Sequence, residues 1–340
     1  MITTEFIVPW PSIMRKALKA ILLELTVAGI IISFFVWLAS GASQHPQLKI
    51  GSSYMTMNNP FYQVINDEIA KQVEQKGDLL SNRDPGLDVN RQIEQIHALM
   101  RSGVRVIILN PVDGQNRRLL QALQEAKRSG IKLVVVDSQL ANKQLADTTI
   151  ISANYHAGEL CAKHLLRQRQ SAKILLLDHY GALSARDRIA GFLATLRRAP
   201  HPQRYQIINH LNNWGQAEVT LPIVKRLLTH GLKFNTIMAI NDQIAVGALA
   251  ALDAKSVTQQ VDVYSVDGSS NMKQLIKTNH DAIATAAQAP QTLGHQAITA
   301  AYRLLAGKPV PHRIVIPVTL ITKRNQHLYN ISGWHYGSIF

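Results

Sequence analysis

Residues 48–77, LKIGSSYMTMNNPFYQVINDEIAKQVEQKG, join an apolar run to a helix-like run through a turn that contains two amides, a proline and two aromatic residues. Pro60 suits the first turn of a helix, because its missing N–H would have no intrahelical partner there. Either asparagine of the turn can cap the same helix. From this stretch alone, Phe61 and Tyr62 are more simply interpreted as core residues than as rings presented to a ligand.

The chain after residue 47 alternates short apolar runs with amphipathic stretches. Ten runs are predicted as strands: LKIGSSY, VRVIILN, IKLVVVD, TTIISAN, KILLLD, YQIINHL, TIMAIN, VDVYSVD, AIATAAQ and RIVIPVTLIT. Several are rich in Val, Ile and Leu without polar alternation, which is typical of parallel strands buried on both faces. Two of the stretches between them, DVNRQIEQIHALMRSG and NRRLLQALQEAKRSG, show helical periodicity and end at glycine. This order predicts an α/β fold with parallel sheets, and ten strands favour two doubly wound lobes.

Polar residues follow the ends of five of these runs. They are Asn110, Asp137, Asn241, Asp267 and Gln288. In open α/β sheets, ligands bind outside the carboxyl ends of the strands. Any one of these residues is as readily a helix cap or turn former as a ligand contact. Five amides or carboxylates together predict a polar cleft floor.

The N-terminal segment has the pattern of a secretory signal. A basic flank with Arg15, Lys16 and Lys19 precedes an apolar core at residues 25–39, and small residues follow at 40–42. The basic flank predicts that the N-terminus stays inside, so that the body of the chain is exported to the periplasm or to the outer face of the cytoplasmic membrane.

Residues 1–45 are therefore a signal peptide or an N-terminal membrane anchor. Counted from Ala20, the apolar segment approaches the ~20 residues that span a bilayer. The uninterrupted core is shorter, which favours cleavage with a mature N-terminus at Ser43. Met1 and Met14 both remain possible starts.

Composition narrows the classes of partner. Lys and Arg number 36 against 22 acidic residues, giving a formal net charge of +14. These charges are scattered and form no basic run, so we expect no nucleic acid partner and favour an anionic envelope surface. The single cysteine, Cys161, lies on an apolar helix face with Ala157 and Leu165, which predicts a buried, inert thiol. We expect no metal site and no cofactor.

From about residue 48 to residue 323, the chain resembles the periplasmic sugar-binding proteins of the ribose-binding type, relatives of the LacI-like repressor core. The matching pieces are NNPFYQVI, VRVIILNPVD, KLVVVDSQ, LSARDRIAGF, IMAINDQIAVGALAAL, VDVYSVDGS and ATAAQAPQTLG, in the family's order and spacing. The resemblance implies a first lobe of residues 48–152 plus 290–311 and a second lobe of residues 153–289 plus 312–325. A C-terminal tail, 326–340, has no functional account at this point.

The resemblance also implies which residues line the cleft. They are Asn59, Phe61, Tyr62, Asn110, Asp137 and Ser138 from the first lobe, Arg186, Trp214, Asn241 and Asp267 from the second, and Gln288 from a crossing segment. The residue types suit a sugar, because rings stack on its C–H faces, charged groups bind its hydroxyls and amides both donate and accept. Ser138 stands where the ribose-type pattern has an arginine, so we expect ribose itself to bind weakly.

The predicted function is an exported solute-binding protein that captures a monosaccharide or small sugar derivative by hinge closure and presents it to an ABC transporter. A ligand-sensing partner of a membrane sensor kinase is the alternative. A more remote alternative is a glycoside-cleaving enzyme that uses Asp137 and Asp267 as its carboxylate pair. The motif SNMK at residues 270–273 matches the S-x-x-K nucleophile motif but lacks its partner motifs, so a helix cap is the plainer interpretation. A repressor is excluded, because an export segment occupies the place of the DNA-binding helices.

Overall fold

The computed structural model describes residues 12–41, 47–331, 333 and 334. The chain divides into two compact units, residues 1–47 and 48–340. In the first unit, α1 (Ser12–Gly41) is a continuous helix of 30 residues. Its segment Lys16–Trp37 has a mean hydropathy of 2.3 and is long enough to cross a membrane, a property that signal sequences share. The expected cleavage point at Ser43 and the alternative start at Met1 lie outside the described residues.

The second unit contains two six-stranded sheets, of which the first is parallel throughout. Its strands are β1 (Lys49–Ser53), β2 (Leu79–Arg83), β3 (Val106–Leu109), β4 (Lys132–Val136), β5 (Thr148–Ser152) and β11 (Arg313–Ile316), in the order β11-β5-β4-β3-β1-β2. Four helices pack on this sheet: α2 (Pro60–Gln75), α3 (Val89–Arg101), α4 (Arg117–Arg128) and α10 (Pro290–Leu305).

Side-chain alternation in the buried strands explains the layers of this lobe. Ile107 and Leu109 of β3 join the core under α3 and α4, whereas Val106 and Ile108 join the core that includes α2 and α10. Because successive side chains of a strand point to opposite faces, a fully apolar strand requires helices on both sides.

The second sheet has the strands β6 (Ala172–Asp178), β7 (Tyr205–Asn212), β8 (Thr236–Ala239), β9 (Asp262–Asp267), β10 (Ala282–Ala287) and β12 (Thr319–Thr322), in the order β12-β10-β9-β8-β6-β7. Its neighbours are parallel except for β12, which runs antiparallel to β10. The helices of this lobe are α5 (Asn154–Gln168), α6 (Leu183–Arg197), α7 (Ala217–Thr229), α8 (Asp242–Ala254) and α9 (Ser270–Thr278). The predicted fold class, two doubly wound α/β lobes, is confirmed.

The chain passes between the lobes three times: from β5 to α5, from β10 to α10, and from β11 to β12. The last passage corrects the expected boundary, because residues 312–325 do not all belong to the second lobe. The predicted strand RIVIPVTLIT is two strands, and β11 pairs with β5 of the first sheet. Pro317 lies between them and has no N–H to donate to a ladder, so the apolar run is interrupted there.

One further strand, β2, is not predicted by the pattern of apolar runs. Its residues LLSNR are partly exposed and it lies at the edge of the first sheet. An edge strand has one neighbour and less apolar surface to cover, so it carries a weak apolar signal.

Helices α5 and α6 approach each other closely at two glycines. A Cβ on Gly158 would lie 1.9 Å from the Arg188 carbonyl oxygen, and a Cβ on Gly191 would lie 1.9 Å from the Tyr155 carbonyl oxygen. No side chain larger than hydrogen fits at either position. This contact fixes the position of α6, which carries Arg188 into the cleft described below.

We therefore predict that Gly191→Ala lowers the free energy of unfolding by about 2–3 kcal/mol, because the added methyl forces the two helices apart. Ala190→Ser is the matched control, since Ala190 is an exposed neighbour on the same helix. Urea unfolding of the full chain measures both. Equal stability of the two variants would contradict the close helix contact.

Candidate functional site

A cleft lies between the carboxyl ends of the two sheets, and its empty space, including the part open to solvent, is about 410 Å³. Eight predicted site residues line it: Asn59, Phe61, Tyr62, Asp137, Trp214, Asn241, Asp267 and Gln288. The structure does not place the other three, Asn110, Ser138 and Arg186, in its lining.

The N-terminus of α2 delivers two aromatic rings to the cleft. The Asn59 side-chain oxygen accepts the backbone N–H of Phe61 at 3.0 Å and so caps the helix beside Pro60. Phe61 and Tyr62 are both buried, and the Tyr62 hydroxyl donates to Asp137 Oδ2 at 3.3 Å. Asn59 thus caps a helix and also lines the cavity, so this turn is both a helix start and part of the cleft wall.

Two buried carboxylates face one guanidinium across the cleft. Arg188 Nη2 lies 3.9 Å from Asp137 Oδ1, and Arg188 Nη1 lies 3.7 Å from Asp267 Oδ1. Burial raises the pKa of Asp137, and Arg188 opposes that shift. Burial also raises the pKa of Asp267 well above its usual value, again against Arg188, while the nearby Asp242 raises it further.

Arg188 replaces the predicted Arg186 as the arginine of the cleft. It is 4 % exposed, and its Nε donates to Asn154 Oδ1 at 2.8 Å and its Nη1 to the Ile240 carbonyl oxygen at 2.7 Å. Arg186 is exposed, and its Nη1 donates to Gln115 Oε1 at 3.2 Å. Two positions along a helix are about 200° of rotation, so these arginines cannot face the same side.

The helical phase of α6 carried the signal that distinguishes the two arginines. Ala185, Ile189 and Phe192 are buried on this helix, and Arg188 falls between them at helical spacing. An arginine on the buried face of a helix requires charged partners, and those are the cleft carboxylates.

Asn110 and Ser138 support the site from outside its lining. Asn110 Nδ2 donates to Asp137 Oδ2 at 3.1 Å, and its Oδ1 accepts the Met55 N–H at 3.1 Å. Ser138 Oγ accepts the N–H of Ser184, at the start of α6, at 3.3 Å. Asn110 therefore orients a cleft carboxylate, and Ser138 joins the two lobes.

Backbone strain accompanies three of the cleft residues. Asp137, Trp214 and Asp267 have φ values of 66°, 55° and 137°, a region that disfavours residues with a side chain. Such conformations persist where surrounding contacts determine them, and they are frequent at ligand sites. Each of the three lines the cavity near the carboxyl end of a strand: Asp137 follows β4, Trp214 lies two residues after β7, and Asp267 is the last residue of β9.

The amides Asn241 and Gln288 complete the floor. Asn241 Oδ1 accepts the Ile244 N–H at 2.9 Å and caps α8, while its Nδ2 donates to the Gly215 carbonyl oxygen at 3.1 Å. Gln288 Nε2 donates to Asp267 Oδ1 at 2.7 Å.

His179 is a cleft residue that the sequence reasoning missed. It follows β6, lines the cavity and is 3 % exposed, with its ring 5.7 Å from that of Trp214. Burial lowers the pKa of His179, against the effect of Asp178 and Asp113. Its position after Asp178, the last residue of β6, is the available signal, because polar residues at the other strand ends predict the cleft floor.

Three buried polar atoms at the cavity have no hydrogen-bond partner among the described residues: Asp137 Oδ1, Gln288 Oε1 and His179 Nε2. The first two are acceptors, and the imidazole nitrogen accepts or donates according to its tautomer. Buried polar atoms are nearly always paired, so this set indicates a place for a polar ligand.

Two expectations outside the cleft concern Cys161 and metals. Cys161 is fully buried, and burial raises the pKa of its thiol to about 12, as expected for an inert cysteine. Within the part of the chain that the structure describes, no group of three or more His, Cys, Asp or Glu side chains is placed to bind a metal ion.

Comparison with known proteins places the chain in a family. Residues 50–309 match the family described as periplasmic binding protein domain. The ribose import binding protein of Bacillus subtilis is 27% identical over 287 residues, covering 84% of this chain and 90% of that protein. The D-apiose import binding protein of Actinobacillus succinogenes is 26% identical over 290 residues, covering 84% and 88%.

A solved structure supports the same assignment. The solute binding protein of an ABC transporter from Mycobacterium smegmatis, with bound glycerol, is 28% identical, with a TM-score of 0.76, and the match covers 83% of this chain and 96% of that one. These relatives are solute-binding proteins, so the prediction that the chain is not an enzyme is confirmed. The chain belongs to the periplasmic binding protein domain family, and its resemblance to the ribose-type members is confirmed.

Proposed function

We propose that the chain is an exported solute-binding protein that captures a monosaccharide or small sugar derivative by hinge closure and presents it to an ABC transporter. Three buried atoms without a hydrogen-bond partner in the described part of the chain carry this proposal: Asp137 Oδ1, Gln288 Oε1 and His179 Nε2. A ligand with several hydroxyls offers a donor to each acceptor and removes the cost of leaving them buried without partners. The import binding proteins of ribose and D-apiose among the relatives support the same ligand class.

The charge of the cleft limits which sugars fit. Asp137, Asp267 and Arg188 together provide two carboxylates and one guanidinium in a buried space. An anionic sugar would add a further negative charge where water cannot screen it. Neutral sugars therefore fit the cleft better than sugar acids, and Phe61 and Trp214 provide rings for their C–H faces.

Polar contacts between the lobes support hinge closure. Gln139 Nε2 donates to Asp187 Oδ2 at 2.9 Å, and Asn58 Nδ2 donates to Glu218 Oε1 at 2.9 Å. Arg186 belongs to this group of contacts through Gln115 of the first lobe. A ligand that touches both lobes binds the closed state better than the open one, and that difference in affinity drives closure.

The N-terminal helix bears on the role of the protein. A cleaved signal gives a diffusible protein, which suits delivery to an ABC permease. Because Lys16–Trp37 is long and apolar enough to cross a membrane, an uncleaved helix would anchor the protein at the outer face of the cytoplasmic membrane. A permanent anchor favours the second candidate, a ligand-sensing partner of a membrane sensor kinase.

We predict that Arg188→Lys weakens sugar binding by about 10- to 100-fold, because lysine cannot lie near both carboxylates while it donates to Asn154 and Ile240, and a hydrogen bond from a charged group contributes about 1.5–3 kcal/mol. Arg197→Lys is the matched control, because Arg197 is an exposed arginine in the last turn of the same helix, and this variant should bind within about twofold of the unmodified protein. Calorimetry against neutral pentoses, hexoses and cyclitols measures both. Equal losses in the two variants would contradict the assignment of Arg188.

We predict that sugar affinity of the unmodified protein falls as the pH drops below about 6.5, relative to His179→Gln. The pKa of His179 is lowered in the closed cleft, so closure releases protons in this pH range. Acid therefore opposes closure, and the sugar affinity falls by up to about tenfold per pH unit.

Glutamine keeps a polar group at position 179 but does not titrate. The raised pKa values of Asp137 and Asp267 act in both proteins, so the ratio of the two affinities isolates the imidazole. A ratio that stays constant between pH 7.5 and pH 5.5 would contradict a role for His179 in closure.

We predict a mature N-terminus at Ser43, measured by mass spectrometry of the protein from its native envelope. Retention of Met14 or Met1 in the membrane fraction would instead support the anchored form. Recovery of the protein from the cytosol would contradict export in either form.

A further inference from the structure

The C-terminal segment folds back onto the cleft. We call its described residues, 329–331, 333 and 334, the tail strap. Trp334 is 8 % exposed, and its ring meets that of Phe61 edge to face, with the centroids 5.5 Å apart. Phe61 lines the cavity from the first lobe, whereas the tail strap follows β12 of the second sheet. The aromatic contact therefore joins the two lobes beside the cleft.

The SNMK motif fastens the tail strap to the second lobe. Lys273 is 1 % exposed, and its Nζ donates to the carbonyl oxygens of Asn330 and Gly333, the latter at 2.6 Å. Ser270 Oγ accepts the Gly333 N–H at 2.9 Å. Residues three apart on a helix share one face, so both side chains of the motif point to the tail.

Lys273 is buried where the tail strap supplies acceptors for its ammonium group. A buried ammonium is stable where nearby groups replace its hydration, and the two tail carbonyls do so. Burial lowers the pKa of Lys273, while the nearby Asp242 opposes that shift. Without the tail, the ammonium would lose both of these acceptors.

A second cavity shows how near the tail strap lies to the ligand site. This space of about 380 Å³ is lined by Trp334 together with Asn59 and Asp267. The last two residues also line the main cleft. Trp334 thus covers the side of the cleft on which α2 and α9 begin.

We propose that the tail strap sets ligand affinity by holding the cleft closed, with Trp334 as a positioning residue for Phe61. This inference rests on the proposed function of sugar capture. Phe61 moves with the first lobe and Trp334 is fastened to the second, so opening separates the rings. Their contact stabilises the closed state relative to the open one and slows ligand release.

The test uses the full chain, with Trp334→Ala to remove the ring and Lys273→Met to release the strap. The matched controls are Trp334→Phe, which keeps an aromatic contact, and Lys277→Met, which removes an exposed lysine from the same helix. Sugar affinity and release rate are measured alongside unfolding of the ligand-free chain. We expect the first two variants to bind sugar about tenfold more weakly, because they release it faster. We expect the two controls to bind sugar as the unmodified protein does.

A second measurement distinguishes failure of this inference from failure of sugar binding. Spin labels attached to cysteines introduced by Lys71→Cys and Lys225→Cys, both at exposed positions, report the distance between the lobes without ligand. We expect Trp334→Ala to shift this distance to larger values, even if no sugar of the panel binds. An unchanged distance distribution, or unchanged sugar affinity and release in Trp334→Ala, would overturn the inference.

Discussion

Two buried carboxylates from opposite lobes share one guanidinium, and the rest of the cleft is organised around that charge balance. Asp137 and Asp267 lie on different sheets, and Arg188 lies within 4 Å of both. Buried charges require partners, so the surrounding residues supply them: Asn110 and Tyr62 donate to Asp137, Gln288 donates to Asp267, and Asn154 accepts from Arg188. Even the glycine contact between α5 and α6 serves this arrangement, because it fixes the helix that carries Arg188.

In the function that we propose, the same charge balance connects ligand binding to closure. A site divided between two lobes is complete when the lobes meet, so a ligand that touches both would favour the same closed state as the interlobe hydrogen bonds and the Phe61–Trp334 contact. The tail strap, as we propose, stabilises this state from outside the cleft. Its attachment through Lys273 also gives the SNMK motif a structural role in place of the nucleophilic one that its sequence resembles.

The sequence predicted the features that depend on local patterns. Apolar runs located most strands, and the polar residues after them located the cleft floor, because in parallel sheets the carboxyl ends lie together. Motif matching selects Arg186 of the sequence RDR because it ignores helical phase, whereas the buried positions of α6 select Arg188. A single run, RIVIPVTLIT, concealed a passage between sheets, since apolarity does not say which sheet a strand joins. The contact between Lys273 and the tail strap joins residues about 60 positions apart in the sequence, and no local pattern predicts such a pairing.

A crystal structure of the chain with a neutral sugar bound tests the central claim most directly. The account predicts the sugar between the rings of Phe61 and Trp214, with hydroxyls within hydrogen-bond distance of Asp137 Oδ1 and Gln288 Oε1 and with Arg188 between the two carboxylates. A sugar bound away from Asp137 and Asp267, or a cleft in which Arg188 contacts neither carboxylate, would contradict it.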